Sequence, residues 1–168
     1  MSLVTEPNTK RRLIGLAIVI LAVAGFGWYQ YTDGHVLGPF LGWDRWQNSG
    51  HSMDPTLDDG QTIWTEPLDG GMPHRGDIVV VRDPSGRTLV KRVAAIGGDT
   101  IEVSDGVLLI SGEATTRAVW TTWGGPELPA TEVPEDSVYA LGDNLAGSRD
   151  SRDFGPVDVG DVIGVVRD

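Results

Sequence analysis

Lysine is scarce in this chain: Lys10 and Lys91 stand against eleven arginines. Lys10 belongs to a basic N-terminal tail. Lys91 lies in an otherwise apolar stretch, Leu89-Val90-Lys91-Arg92-Val93-Ala94-Ala95-Ile96. Arginine keeps its proton in any protein environment, whereas a buried lysine can lose it. Burial disfavours the ammonium and lowers its pKa. A neutral amine near pH 7 can serve as a general base. The ordinary alternative is a strand lysine whose head group reaches solvent.

A partner for such a base lies upstream, in Asn48-Ser49-Gly50-His51-Ser52-Met53-Asp54-Pro55-Thr56-Leu57. Ser52 falls between a glycine that permits unusual backbone angles and a proline that stops a regular strand. A serine on such a constrained connection has backbone N–H groups that could meet an oxyanion. An ordinary surface turn has the same composition. A third segment, Leu141-Gly142-Asp143-Asn144-Leu145-Ala146-Gly147-Ser148-Arg149-Asp150-Ser151-Arg152-Asp153-Phe154-Gly155-Pro156-Val157, is dense in turn formers and opposite charges. It reads as a solvated loop stapled by Asp–Arg contacts, or as the source of a hydroxyl, from Ser148, that orients an amine.

Taken together, these segments resemble the type I signal peptidases, membrane-bound serine proteases with a Ser–Lys dyad. Five blocks match in order. An apolar N-terminal segment comes first, then Ser52-Met53-Asp54-Pro55-Thr56-Leu57. Arg75-Gly76-Asp77-Ile78-Val79-Val80-Val81 follows, then Val90-Lys91-Arg92-Val93 through Gly98-Asp99. The last runs from Gly142-Asp143-Asn144 through Ser148 and Asp150-Ser151-Arg152 to Gly155. The resemblance covers about residues 48–166.

The resemblance implies Ser52 as nucleophile, Lys91 as general base and Ser148 as the hydroxyl that hydrogen-bonds the Lys91 amine. It implies an Asp150–Arg152 ion pair, with Asp143 and Arg92 near the site, and the Ser52 backbone N–H as oxyanion donor. Signal peptides of exported preproteins, with small residues before the cut, are the implied substrates, and no cofactor or metal is required. Two positions depart from the pattern. Gly50 stands where some members place a second oxyanion-donating serine. Gly97 stands where many have Pro before Gly-Asp, so a looser turn is expected there.

These residues need a scaffold, and the rest of the chain supplies one. Leu13 to Tyr31 is apolar, preceded by Lys10-Arg11-Arg12 and closed by Trp28, Tyr29 and Tyr31. Its 19 residues suit a short membrane-spanning helix with an aromatic interfacial end. Ala22-Val23-Ala24 would also fit a cleavage site, so the pattern alone leaves a removed signal peptide open. The family resemblance favours a retained anchor. The expected organisation is a cytoplasmic tail (1–12), an anchor (13–31), a juxtamembrane connection (32–47) and an exported peptidase domain (48–168). The connection holds Phe40, Leu41, Trp43 and Trp46, which could be core residues or a rim that dips into the bilayer.

Short apolar runs between turn signals mark a mainly β fold, a small, strongly bent antiparallel domain with its active site on one edge. Strands are expected over Ile78–Arg82, Thr88–Ile96, 101–103, 107–110, Ser137–Leu141 and 162–166. The stretch 112–134 is read as an insertion with little regular structure. Beyond residue 12 there are 10 basic and 23 acidic residues, a poor surface for nucleic acid. The absence of cysteine excludes disulfides and thiolate metal sites. His35, His51 and His74 are too dispersed to suggest a metal cluster. His51 adjoins Ser52, but neighbours on an extended chain point apart, so it is read as a surface residue. Two other functions fit the pattern: a processing protease dedicated to one exported or conjugation-related protein, and a non-catalytic, membrane-tethered β binding module.

Overall fold

The structure, a computed structural model, describes residues 18–25, 42–120 and 127–167. The chain divides into two units, Met1–Leu41 and Gly42–Asp168. In the first, residues 18–25 are helical, with Ile18, Val19, Ile20, Leu21 and Val23 exposed. Among the described residues no helix is long and apolar enough to cross a membrane. The rest of the expected 13–31 anchor lies outside them, as do Phe40 and Leu41 of the connection.

The second unit is built from two antiparallel sheets. Its first strands are β1 (Asp44–Gln47), β2 (Thr62–Glu66), β3 (Ile78–Arg82), β4 (Thr88–Ile96), β5 (Thr100–Ser104) and β6 (Val107–Ile110). They are followed by β7 (Glu113–Ala114), β8 (Leu128–Glu132), β9 (Ser137–Leu141), β10 (Val157–Asp158) and β11 (Val162–Arg167). A one-turn helix, α1 (Ser151–Phe154), falls between β9 and β10. The larger sheet has the order β1-β2-β11-β3-β4-β9-β10, and the smaller has β7-β6-β5-β8.

Apolar β-branched residues explain the centre of the large sheet. Val79, Val80 and Val81 of β3 are fully buried, and alternate ones enter different cores. Val79 and Val81 pack with Val93, Val138 and Val165. Val80 packs with Met53, Leu57 and Ile63. This is the two-residue period of a strand covered on both faces. In the small sheet, β5 and β6 turn through Asp105 and Gly106, both at positive φ, the geometry that a two-residue hairpin needs.

Three expectations change. β1 puts Asp44–Gln47 of the expected connection into the sheet, paired with β2. The 112–134 stretch contains β7, a 3-10 turn at Ala118–Trp120 and β8, which pairs with β5. Trp120 and Val133 are buried with Ile101, Val103 and Leu108, so this stretch closes a core. Pro129 fits because β8 is an edge strand, where a missing N–H costs least. The strand that carries Lys91 lies within the larger sheet, between β3 and β9.

The turn at Gly97 is tight, contrary to expectation. The Asp99 N–H donates to Ile96 O at 3.0 Å, and the Gly98 N–H to Val133 O at 3.0 Å. A Cβ on Gly97 would collide with the backbone of Glu135. Burial acts to raise the Asp99 pKa, but hydrogen bonds from Arg75 and the Ile96 N–H outweigh it and hold the carboxyl below its ordinary value.

Candidate active site

Residues 51–57 leave β1 as a compact turn. The Thr56 and Leu57 N–H groups both donate to Met53 O, at 2.8 and 3.1 Å. Met53 is fully buried and anchors the turn in the core. Asn48, also buried, donates its side-chain N–H groups to Leu57 O and Asp58 O and ties the turn's two ends. Gly50 has φ +89°, and its N–H donates to Asp59 Oδ1 at 2.7 Å. Ser52 is thereby presented half-buried, and its own N–H makes no hydrogen bond among the described residues.

Lys91 reaches this serine from β4. Its Nζ donates to Ser52 Oγ at 2.8 Å and to Val90 O at 2.7 Å. The residue is 2% exposed. Burial lowers its pKa from 10.5 to about 8, although the negative charges of Asp150 and Asp143 act to raise it. The strand lysine is thus a buried one, and its neutral form is far easier to reach near pH 7 than that of a solvated lysine.

The 142–152 loop packs behind the pair. Asn144 N–H donates to Ser52 O at 3.0 Å, and its side-chain Nδ2 to His51 O at 2.9 Å. Gly142 is buried, and a Cβ there would collide with the Ser148 side chain and with Ser52 O. Ser148 Oγ is therefore brought beside the Ser52 turn. It is buried and has no hydrogen-bond partner among the described residues, so the expected Ser148–Lys91 hydrogen bond is not formed. Lys91 uses the carbonyl of Val90 instead.

Two carboxylate–guanidinium pairs lie here: Asp150 with Arg152, and Asp143 with Arg92, which the sequence places only near the site. Asp150 is fully buried and receives Arg152 Nε at 2.7 Å and Arg152 Nη2 at 2.9 Å. It also accepts the Gly142 N–H at 3.0 Å and caps α1 reciprocally with Asp153. Arg152 continues to Leu145 O at 2.7 Å, which fixes the loop's curvature. Asp143 and Arg92 form a buried two-point pair, with Nε–Oδ1 at 2.8 Å and Nη2–Oδ2 at 2.6 Å. Arg92 also donates to Gly76 O at 2.8 Å.

Two participants were not legible in the sequence. Thr56 donates its hydroxyl to Asp143 Oδ2, which couples the Ser52 turn to the Arg92–Asp143 pair. Asn144 holds the same turn from the other side. Both lie inside the matching blocks, but nothing in the sequence assigned either a contact. His51 is at the surface and pairs with Asp54 at 3.1 Å, away from Ser52. Among the described residues no His, Asp or Glu cluster could hold a metal ion.

A cavity of about 170 Å³ opens beside Ser52, lined by Trp46, Ser49, Val80, Leu89, Val90 and Lys91 among others. β4 pairs with β9 over Arg92–Ile96, so among the described residues Thr88–Lys91 has a strand neighbour on the β3 side alone.

The site thus holds a serine hydroxyl against a buried amine, beside a cleft and a half-paired strand. Comparison with known proteins gives the family. The family described as signal peptidase, peptidase S26, matches residues 36–167, and the chain belongs to it. It is similar to signal peptidase I V of Bacillus subtilis strain 168, at 29% identity over 135 residues covering 71% of this chain and 80% of that protein. Signal peptidase I U of the same organism is 35% identical over 133 residues, 68% of each chain. A crystal structure of a signal peptidase I from Enterococcus faecalis V583 superposes with TM-score 0.52 at 28% identity, covering 58% of this chain and 98% of that one. The chain is a serine endopeptidase of signal-peptide removal, which replaces the alternative of a non-catalytic binding module.

Proposed function

We propose that Ser52 and Lys91 form the catalytic dyad that cleaves signal peptides from exported preproteins. The observation that carries this is the 2.8 Å contact between Lys91 Nζ and Ser52 Oγ, made by an amine with a pKa near 8. Val90 O takes one N–H of the amine and leaves its lone pair, once deprotonated, for the serine O–H. Ser52 Oγ attacks the scissile carbonyl as Lys91 takes its proton. The acyl-enzyme forms as the mature chain leaves with that proton on its new amine. Lys91 then activates water for deacylation.

The Ser52 N–H, without an acceptor among the described residues, supports its role as oxyanion donor. The half-paired edge at Thr88–Lys91 supports binding of substrate as an added strand, with alternate side chains entering pockets. A cavity of about 170 Å³ favours small residues before the cut. Ser148 positions the Lys91 amine during turnover, and the Asp150–Arg152 and Asp143–Arg92 pairs hold the surrounding loops. Residues 13–31 anchor the chain by a single span in the cytoplasmic membrane. Residues 1–12 are cytoplasmic and the catalytic domain, from about residue 48, lies outside.

The test is labelling of the full-length chain in detergent with a serine-directed acylating inhibitor, read by mass spectrometry. Modification at Ser52, absent from Ser52→Ala and Lys91→Ala, is the expected result. Wild-type precursor cleavage by Ser52→Ala would refute the dyad.

A further inference from the structure

The residue after Ser148 points away from the nucleophile and joins two other elements. Arg149 Nε lies 3.7 Å from Asp83 Oδ2, and its guanidinium lies over the Phe154 ring at 5.8 Å from the centroid. Asp83 closes the β3–β4 hairpin whose second strand carries Lys91. Phe154 ends α1 and packs against the valine core beneath that hairpin. We propose that Arg149 is a positioning residue, an electrostatic clip that holds the Ser148 loop in register with the hairpin bearing Lys91. This inference rests on the roles proposed for Lys91 and Ser148.

Asp83 is suited to be the fixed end of the clip. Its side chain is fully buried. It accepts the Ser85 N–H at 2.8 Å, the Ser85 hydroxyl, the Arg87 N–H at 3.0 Å and the Arg87 guanidinium at 2.9 Å. The Ser85 hydroxyl is the main cause that keeps the carboxylate ionised well below its ordinary range. The anion thus stays in place whatever Arg149 does. Arg149 is half exposed, so the pair is weak and open to screening by salt.

The short segment between the clip and the catalytic loop gives the contact leverage. Ser148 precedes Arg149, and Asp150 follows it, pinned by Arg152 and by the Gly142 N–H. Among the described residues Ser148 Oγ has no hydrogen bond of its own to fix it. Its placement therefore depends on the backbone on either side, and Arg149 ties that backbone to the hairpin. The clip should act on turnover more than on substrate binding, because it touches neither the 170 Å³ cavity nor the edge of β4.

The test is steady-state cleavage of a signal-peptide substrate by the full-length chain in detergent, on the high-pH plateau where Lys91 is neutral. Arg149→Ala should lower kcat about two- to fivefold with KM unchanged, the scale of one exposed ion pair. Arg149→Lys should recover most of that loss, and Arg149→Glu, facing Asp83, should fall below Arg149→Ala. Raising salt to about 1 M should bring the wild type towards Arg149→Ala and leave the variant flat. Wild-type kcat in Arg149→Ala, a Lys variant no better than Ala, or a salt response unchanged in Arg149→Ala would each overturn the clip. Thermal unfolding midpoints identify a folding defect, and the Lys-against-Glu comparison still decides between the two. Ser52→Ala, run alongside, separates the readings: if it is inactive while Arg149→Ala is wild type, the clip alone fails.

Discussion

Lys91 donates to the carbonyl of its own neighbour Val90 at 2.7 Å, while the Ser148 hydroxyl beside the Ser52 turn has no partner among the described residues. A lysine amine loses about 2 kcal/mol of rotamer entropy when fixed. One backbone carbonyl and one serine hydroxyl share that restraint here. A buried hydroxyl with no partner is uncommon, and such groups gather at functional sites. Ser148→Ala should lower kcat about 10- to 1,000-fold, the scale of one lost catalytic positioning contact, with substrate binding nearly unchanged. Steady-state kinetics check this, and the variant should stay measurably above Ser52→Ala.

Lys91→Arg should be as inactive as Lys91→Ala, because the guanidinium keeps its proton. In the wild type the base is the deprotonated form, so kcat/KM should rise with pH through an apparent pKa of about 8 and level off above it. A rate that keeps rising to pH 10.5 would place the base outside this environment. A pH–rate profile with a neutral-leaving-group substrate measures this directly.

The same burial carries a stability cost. A drop from 10.5 to about 8 corresponds to about 3 kcal/mol that the folded state loses when Lys91 is protonated. The sign follows from the depressed pKa. Stability from this group is present above pH 10.5 and is lost as pH falls through 8. Lys91→Met should therefore be more stable than the wild type at pH 7, by about 1–3 kcal/mol, and the gain should shrink by pH 10. Denaturant unfolding at the two pH values gives the comparison.

Thr56 joins the Ser52 turn to a buried ion pair contributed by β4 and the 142–152 loop. Thr56→Val keeps the shape and removes the donor, and it leaves Asp143 one hydrogen bond short. The expected outcome is a stability loss of about 1–2 kcal/mol, read from unfolding. The displaced Ser52 should also lower kcat about tenfold. Thr56→Ser, which keeps the hydroxyl, should restore the rate.

The sequence was most readable where local pattern and burial agree. The bounds of β3 and β4 follow from their valine runs and the turn between them, and the β5–β6 hairpin from Asp105-Gly106. β1 and β8 were hidden for physical reasons. Asp44–Gln47 is mostly exposed and polar, and Leu128–Glu132 contains Pro129, which argues against a strand anywhere but an edge. β2, Thr62–Glu66, does alternate in burial, but it is short and has few apolar residues. In the site, Lys91 was legible because a lysine is unusual in an apolar strand of an arginine-using chain, and Ser52 because its turn belongs to an ordered set of blocks. Thr56 and Asn144 were not. Their contacts cross 87 and 93 residues, and no local spacing encodes them.

The crowding at Gly97 has a one-sided consequence. The space where a side chain would begin at residue 97 is filled by the main chain of Glu135. The constraint runs one way: any side chain at residue 97 needs that main chain to move, whereas the exposed Glu135 side chain can change size freely. A proline in place of Gly97 would require the chain before β9 to follow a path set further from the turn. The glycine thus serves by how closely two loops approach, and not by its chemistry.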